Sequence, residues 1–113
     1  LGHTFYDNET DYETVYFDKE IQHDFASWVS GDSMEPLYPN GSVALMKQTG
    51  FDYDGAVYAL IWNGKTYIKK VYREAEGLRL ESINPDYDDL FAPYEDEPKI
   101  VGIVVGHFLP LEV

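Results

Sequence analysis

The residues best suited to chemistry in this chain lie in Val29-Ser30-Gly31-Asp32-Ser33-Met34-Glu35-Pro36. A strand pattern enters, Gly31 breaks it, and Ser33 follows at the turn, with Pro36 and Pro39 stopping any long helix. A serine presented at such a break can face a cleft, and its backbone N–H and its neighbour's can together hold an oxyanion. Most Gly-x-Ser turns are only turns, so the serine signifies little without a base to activate it.

Histidine is the first candidate for that base. His3 lies in a loosely patterned start, and His107 ends the last apolar strand beside Phe108. With His23 they show no triad-like spacing. A neutral lysine is the other known partner for serine. Lys69 and Lys70 lie inside Lys65-Thr66-Tyr67-Ile68-Lys69-Lys70-Val71-Tyr72. Strand alternation puts Lys69 on one face with Tyr67 and Val71, and Lys70 on the other with Ile68 and Tyr72. Burial among those neighbours would lower the proton affinity of either amine, as a lysine base needs near neutral pH. Either could instead snorkel to solvent, and the pattern does not choose between them.

The elements that must position these groups are β-strands. Helical periodicity is nearly absent, while alternation with β-branched and aromatic residues recurs. Strands are expected at Glu13–Phe17, Phe25–Ser30, Val43–Lys47, Ala56–Trp62, Lys65–Tyr72, Leu78–Ser82 and Lys99–Phe108. Turn residues separate them, and Asn63-Gly64 between two alternating segments is the strongest hairpin signal. The expected fold is an all-β, strongly bent sandwich or barrel of about seven short strands with little helix. Residues 1–12 are polar and acidic and read as an arm, leaving residues 13–113 as one domain.

With 113 residues the chain has room for a single domain, and without cysteine it has no disulfide, thiolate metal site or cysteine nucleophile. A formal charge of −13 excludes a grip on nucleic-acid phosphates by this chain itself and opposes anionic membranes. The longest apolar run, Ala56–Trp62, is too short to span a bilayer, and no signal peptide is expected. Acids concentrate in residues 7–24 and 84–97 and read as solvated segments. Asp86-Tyr87-Asp88-Asp89 lacks the spacing of a calcium loop, and no metal site is expected.

Taken together, these segments resemble the LexA-like self-cleaving repressors, a family that includes phage CI-type repressors and UmuD-type mutagenesis proteins. Ser30-Gly31-Asp32-Ser33-Met34-Glu35-Pro36 resembles the nucleophile motif, and Tyr67-Ile68-Lys69-Lys70-Val71 the catalytic-lysine strand, with Lys69 at the lysine position. Asn40-Gly41-Ser42-Val43-Ala44, Asp54-Gly55-Ala56-Val57-Tyr58-Ala59, Leu80–Tyr87 and Ile100–Gly106 follow in family order, so the match covers about residues 25–108. Asn40-Gly41-Ser42 departs from the more usual acidic Asp-Gly-Asp at a position that is not catalytic in the family.

The resemblance implies Ser33 as nucleophile, Lys69 as general base, and the backbone amides of Asp32 and Ser33 as oxyanion hole. It implies a self-inflicted cut at an Ala-Gly-type bond, in a linker to an N-terminal helix-turn-helix domain, with no cofactor. It further implies a cytoplasmic homodimer whose cleavage is promoted by RecA on single-stranded DNA, and which reaches DNA only through the other domain. Cleavage would derepress genes after DNA damage. No Ala-Gly or Cys-Gly occurs here, so the chain is expected to begin near the cut, at Leu1-Gly2, with residues 1–12 as linker remnant. The segment from Lys99 onward is the expected dimer contact, because a long apolar strand would otherwise leave an open edge.

Other classes fit less well. Gly31-Asp32-Ser33 also resembles the start of lipase-like esterases, which need helical crossovers and a terminal Asp-x-x-His absent here. Signal peptidases share the Ser-Lys logic but need an anchor and an apolar membrane-facing surface. Two readings stay open beside the self-cleaving repressor: a dimerisation or sensing module that does not cut, and a UmuD-type accessory protein with a short arm in place of the DNA-binding domain.

Overall fold

The computed structural model describes residues 2–7, 11–16 and 23–110, the first two stretches as backbone only. In chain order the strands are β1 (Gly2–Asp7), β2 (Asp11–Tyr16), β3 (Phe25–Trp28), β4 (Val43–Gln48), β5 (Val57–Trp62), β6 (Lys65–Arg73), β7 (Gly77–Glu81), β8 (Leu90–Pro93) and β9 (Lys99–Phe108). One 3-10 turn, Tyr94–Asp96, is the only helical element among the described residues. The strands form a single sheet in the order β2-β1-β3-β4-β9-β5-β6-β7-β8. From β3 to β8 in that order, seven antiparallel strands curl into a half-barrel, and the β1–β2 hairpin adds to β3 in parallel at Tyr6 and Ser27. The all-β expectation holds.

The β5–β6 hairpin shows how local sequence sets the site. Asn63 and Gly64 have φ of 51° and 75°, the left-handed pair of a type I′ turn, which matches the natural twist of two strands. The turn fixes the register Trp62 to Lys65, and so Tyr58 to Lys69 and Val57 to Lys70. A slip of one residue would exchange the faces of the two lysines.

Tyr58, Leu60, Val71 and Leu80 are fully buried in the core of β5, β6 and β7. The Tyr58 hydroxyl accepts from the N–H of Asp52 and of Tyr53, both at 2.8 Å, and donates to the Tyr53 carbonyl at 3.0 Å. A buried polar group is thereby satisfied, and the β4–β5 connection is pinned to the core. A smaller cluster of Val29, Met34, Tyr38 and Ala44 packs beneath the β3–β4 connection.

Two strands were not expected from sequence. β1 falls in the expected arm, and β8 is four residues ending in Pro93 inside an acidic run. β8 is held by tertiary pairing with β7, where Gly77 lies so close to Ala92, Phe91 and Pro93 that no side chain would fit. Leu1, where the chain was expected to begin near a cut, and Phe17, the expected end of a strand, lie outside the described residues.

One expectation is corrected. β9 is not an open edge: it pairs with β4 on one side and β5 on the other. Its ten residues run through the middle of the sheet, and what it leaves to solvent is a face. Among the described residues no helix is long and apolar enough to cross a membrane.

Candidate active site

Ser33 stands in the β3–β4 connection, whose neck is closed by backbone bonds. Val29 N–H donates to the Ser42 carbonyl at 2.9 Å, and Gly41 N–H to the Val29 carbonyl at 2.8 Å. Gly31 takes φ of 80°, where a side chain would be strained, and its N–H donates to Asn40 Oδ1 at 2.8 Å. Met34 then drops into the small core at 2% exposure, and its carbonyl accepts from Tyr38 N–H at 2.8 Å. Glu35 caps the far side by accepting from Asn40 N–H at 3.3 Å, ahead of a cis bond to Pro36. Ser33 is thus fixed between exposed Asp32 and buried Met34.

A second segment, residues 82–87, grips the same turn. Asn84 N–H donates to the Ser33 carbonyl at 2.9 Å, and Asn84 Nδ2 donates to the Asp32 carbonyl at 3.1 Å. Tyr87 donates its hydroxyl to the Asp32 carboxylate. Among the described residues nothing accepts from the N–H of Asp32 or of Ser33.

β6 brings the base. Lys69 is 8% exposed, and its Nζ lies 2.7 Å from Ser33 Oγ and 3.0 Å from Ser82 Oγ. Among the described residues no carboxylate pairs with it, and burial pulls its pKa below that of an ordinary lysine. Lys70 behaves oppositely. It points to the other face, pairs with Glu81 at 3.1 Å, and its pKa is raised by the hydrogen bonds to Glu81 and Tyr72. Burial and contact thus set apart the two lysines that the pattern left equivalent.

A groove of about 860 Å³ runs over Ser33 and Lys69, walled by Trp28, Tyr67, Ile68 and Leu90. Its lining includes both members of the serine–lysine pair. His107 packs edge-on against the Tyr38 ring, with centroids 4.8 Å apart, and the side chain of His3 lies outside the described residues.

A family model described as peptidase S24-like matches residues 2–105. The chain belongs to the peptidase S24-like family. Its curated relatives bear repressor names. It is 42% identical over 77 residues to the CI repressor of Enterobacteria phage phi80, covering 66% of this chain and 32% of that protein. It is 33% identical over 86 residues to the LexA repressor of Citrifermentans bemidjiense, covering 74% of this chain and 43% of the other. For the LexA repressor of an Exiguobacterium species the identity is 35% over 80 residues, covering 69% and 37%. The chain therefore spans less than half the length of the relatives it matches. The resemblance to LexA-like and CI-type repressors holds, and the fold is that of a serine peptidase-type S24 domain.

Ser82, Asn84 and Tyr87 of this S24 domain lie within the Leu80–Tyr87 segment, and the sequence alone gives them no role. The signal was present: three hydrogen-bonding side chains directly follow the short strand β7. Their partners, however, lie 13 to 55 residues away in the chain.

Proposed function

We propose that this domain cuts a backbone bond in the linker that joins it to an upstream helix-turn-helix DNA-binding domain, and that it pairs two copies of the repressor. The carrying observation is the 2.7 Å contact between the buried amine of Lys69 and the hydroxyl of Ser33. An uncharged amine accepts the Ser33 proton as Oγ attacks the scissile carbonyl carbon. The tetrahedral intermediate collapses as the C–N bond breaks, and the ammonium of Lys69 returns its proton to the leaving nitrogen. Water then attacks the ester, Lys69 removes a proton from it, and the Ser33 oxygen regains one as the acid leaves.

The backbone supports the oxyanion role of Ser33 and Asp32. The Asp32 carbonyl is held by Asn84, and in a trans peptide the Ser33 N–H points the opposite way. An amide so aimed, with no protein acceptor among the described residues, suits a developing negative oxygen. Pairing of copies is supported by the outward face of β9 and its continuation, where Val105 and Leu109 are 42% and 62% exposed. On this reading RecA on single-stranded DNA promotes cleavage in the bacterial or phage-infected cytoplasm, and separation of reader from dimeriser relieves repression.

The test uses the full-length protein with its own linker, incubated at alkaline pH or with RecA filaments and followed by intact mass. Wild type is expected to yield two fragments, and Ser33→Ala and Lys69→Ala none. A wild type that stays whole under both conditions contradicts cleavage and leaves a dimerisation or sensing module. A short upstream arm in place of a DNA-binding domain would instead mark a UmuD-type accessory protein.

A further inference from the structure

Lys69 has two oxygen partners, and only one is the proposed nucleophile. A neutral amine offers two N–H donors and a single lone pair. To accept the Ser33 proton, that lone pair must face Ser33 Oγ, which requires the N–H bonds to be directed elsewhere. Ser82 Oγ lies 3.0 Å from Nζ and is the acceptor available to one of them.

The sheet explains why Ser82 is there. β6 and β7 pair Lys70 with Glu81, so the next position along brings Ser82 opposite Lys69. Lys69-Lys70 therefore meets Glu81-Ser82 in a sorted way: the half-exposed lysine receives the carboxylate and the buried one receives a hydroxyl. A carboxylate at position 82 would hold a proton on Lys69 and silence its lone pair. The other titratable side chains lining the groove are Lys65, Tyr67 and Tyr87, and none is bonded to Lys69. Asp32 is taken by Tyr87.

We propose that Ser82 is a positioning residue that holds one N–H of Lys69 and so aims the amine's lone pair at the Ser33 hydroxyl. This role rests on the reading of Ser33 and Lys69 as a catalytic pair. Ser82 touches the base and not the scissile bond.

The experiment is the first-order rate of self-cleavage of the full-length protein across pH, with thermal midpoints measured alongside. Ser82→Ala is expected to lower the alkaline plateau about ten- to a hundredfold, as misdirection of a catalytic group does, with the thermal midpoint unchanged. Ser82→Thr keeps the hydroxyl and is expected to restore the plateau. Ser82→Asp is expected to move the midpoint of the pH profile upward, because a carboxylate favours the ammonium form; a residue that only filled space would leave that midpoint alone. A cleaving wild type with an unaffected Ser82→Ala, or an unshifted Ser82→Asp, overturns the role of Ser82 alone. A wild type that never cleaves overturns the catalytic pair and this role together.

Discussion

The Lys69 amine stands 2.7 Å from the Ser33 hydroxyl although 36 residues of chain separate them. Three separate devices hold that distance. The Asn63-Gly64 turn sets which face of β6 carries Lys69. Met34 anchors the serine turn in its own small core. Asn84 grips the carbonyls on both sides of the Ser33 amide.

Charge on the amine should decide activity. Lys69→Arg keeps the length and the positive charge but cannot give up its proton at any working pH and offers no lone pair. Its self-cleavage rate is expected to fall by at least about a hundredfold, in line with the loss of a general base. Timed gel or mass analysis of full-length protein measures this, and an active Lys69→Arg would contradict the role of the base.

The pH dependence follows from the direction of the Lys69 shift. Burial lowers its pKa in the folded state, so the amine is charged and idle below that value and neutral above it. The cleavage rate should rise with pH and level off. Stability has the same sign: between the lowered folded value and the ordinary lysine value the unfolded chain binds more protons, so stability contributed by this site rises with pH. Lys69→Met should therefore stabilise the domain near neutral pH by about 1 kcal/mol while abolishing cleavage, and that advantage should shrink as pH rises. Denaturant unfolding of both proteins at several pH values checks the difference, and a gap that widens with pH would refute it.

Much of this fold is legible in the sequence because its strands obey a strict local rule. β4, β5 and β6 are apolar or alternating segments bounded by glycine turns, β9 is a long apolar run between Pro98 and Pro110, and Asn63-Gly64 specifies its hairpin outright. β8 is not legible, because Leu90–Pro93 becomes a strand only by pairing with β7. The serine and the lysine strand stand out as motifs, yet alternation could not tell Lys69 from Lys70. That distinction depends on what covers each face: Glu81 on one, Ser33 and Ser82 on the other. Asn84 was opaque for a similar reason, since its bonds run to main-chain carbonyls that no side-chain pattern encodes.

Asn84→Ala should separate geometry from stability. It removes one of the two donors to the Asp32 carbonyl, leaving Glu35 N–H at 3.1 Å, and so loosens the hold on the Ser33 peptide. Self-cleavage is expected to slow about a hundredfold, as when an oxyanion donor is lost, with the midpoint of its pH profile unmoved. Met34→Ala, by contrast, empties a site 2% exposed and should cost about 2–5 kcal/mol in denaturant unfolding. Equal rates for wild type and Asn84→Ala would show that the serine turn holds without it.

Pairing of copies through the outward β9 face makes a solution prediction. Val105→Asp with Leu109→Asp places two charges on exposed apolar positions without touching the buried core. Wild type is expected to sediment as a dimer and the double variant as a monomer at the same micromolar concentration. A wild type that is monomeric at high micromolar concentration, or an intact dimer in the variant, would rule this face out.

The central claim is that Lys69 is the lysine whose amine is held uncharged within reach of Ser33. The most direct test is an NMR titration of the side-chain Nζ and Cε signals of the six lysines in this chain. The account predicts one lysine, lost in Lys69→Met, that deprotonates well before the others. If the Lys69 signals titrate in the ordinary lysine range, the amine is an ordinary charged lysine and the Ser33–Lys69 mechanism is wrong.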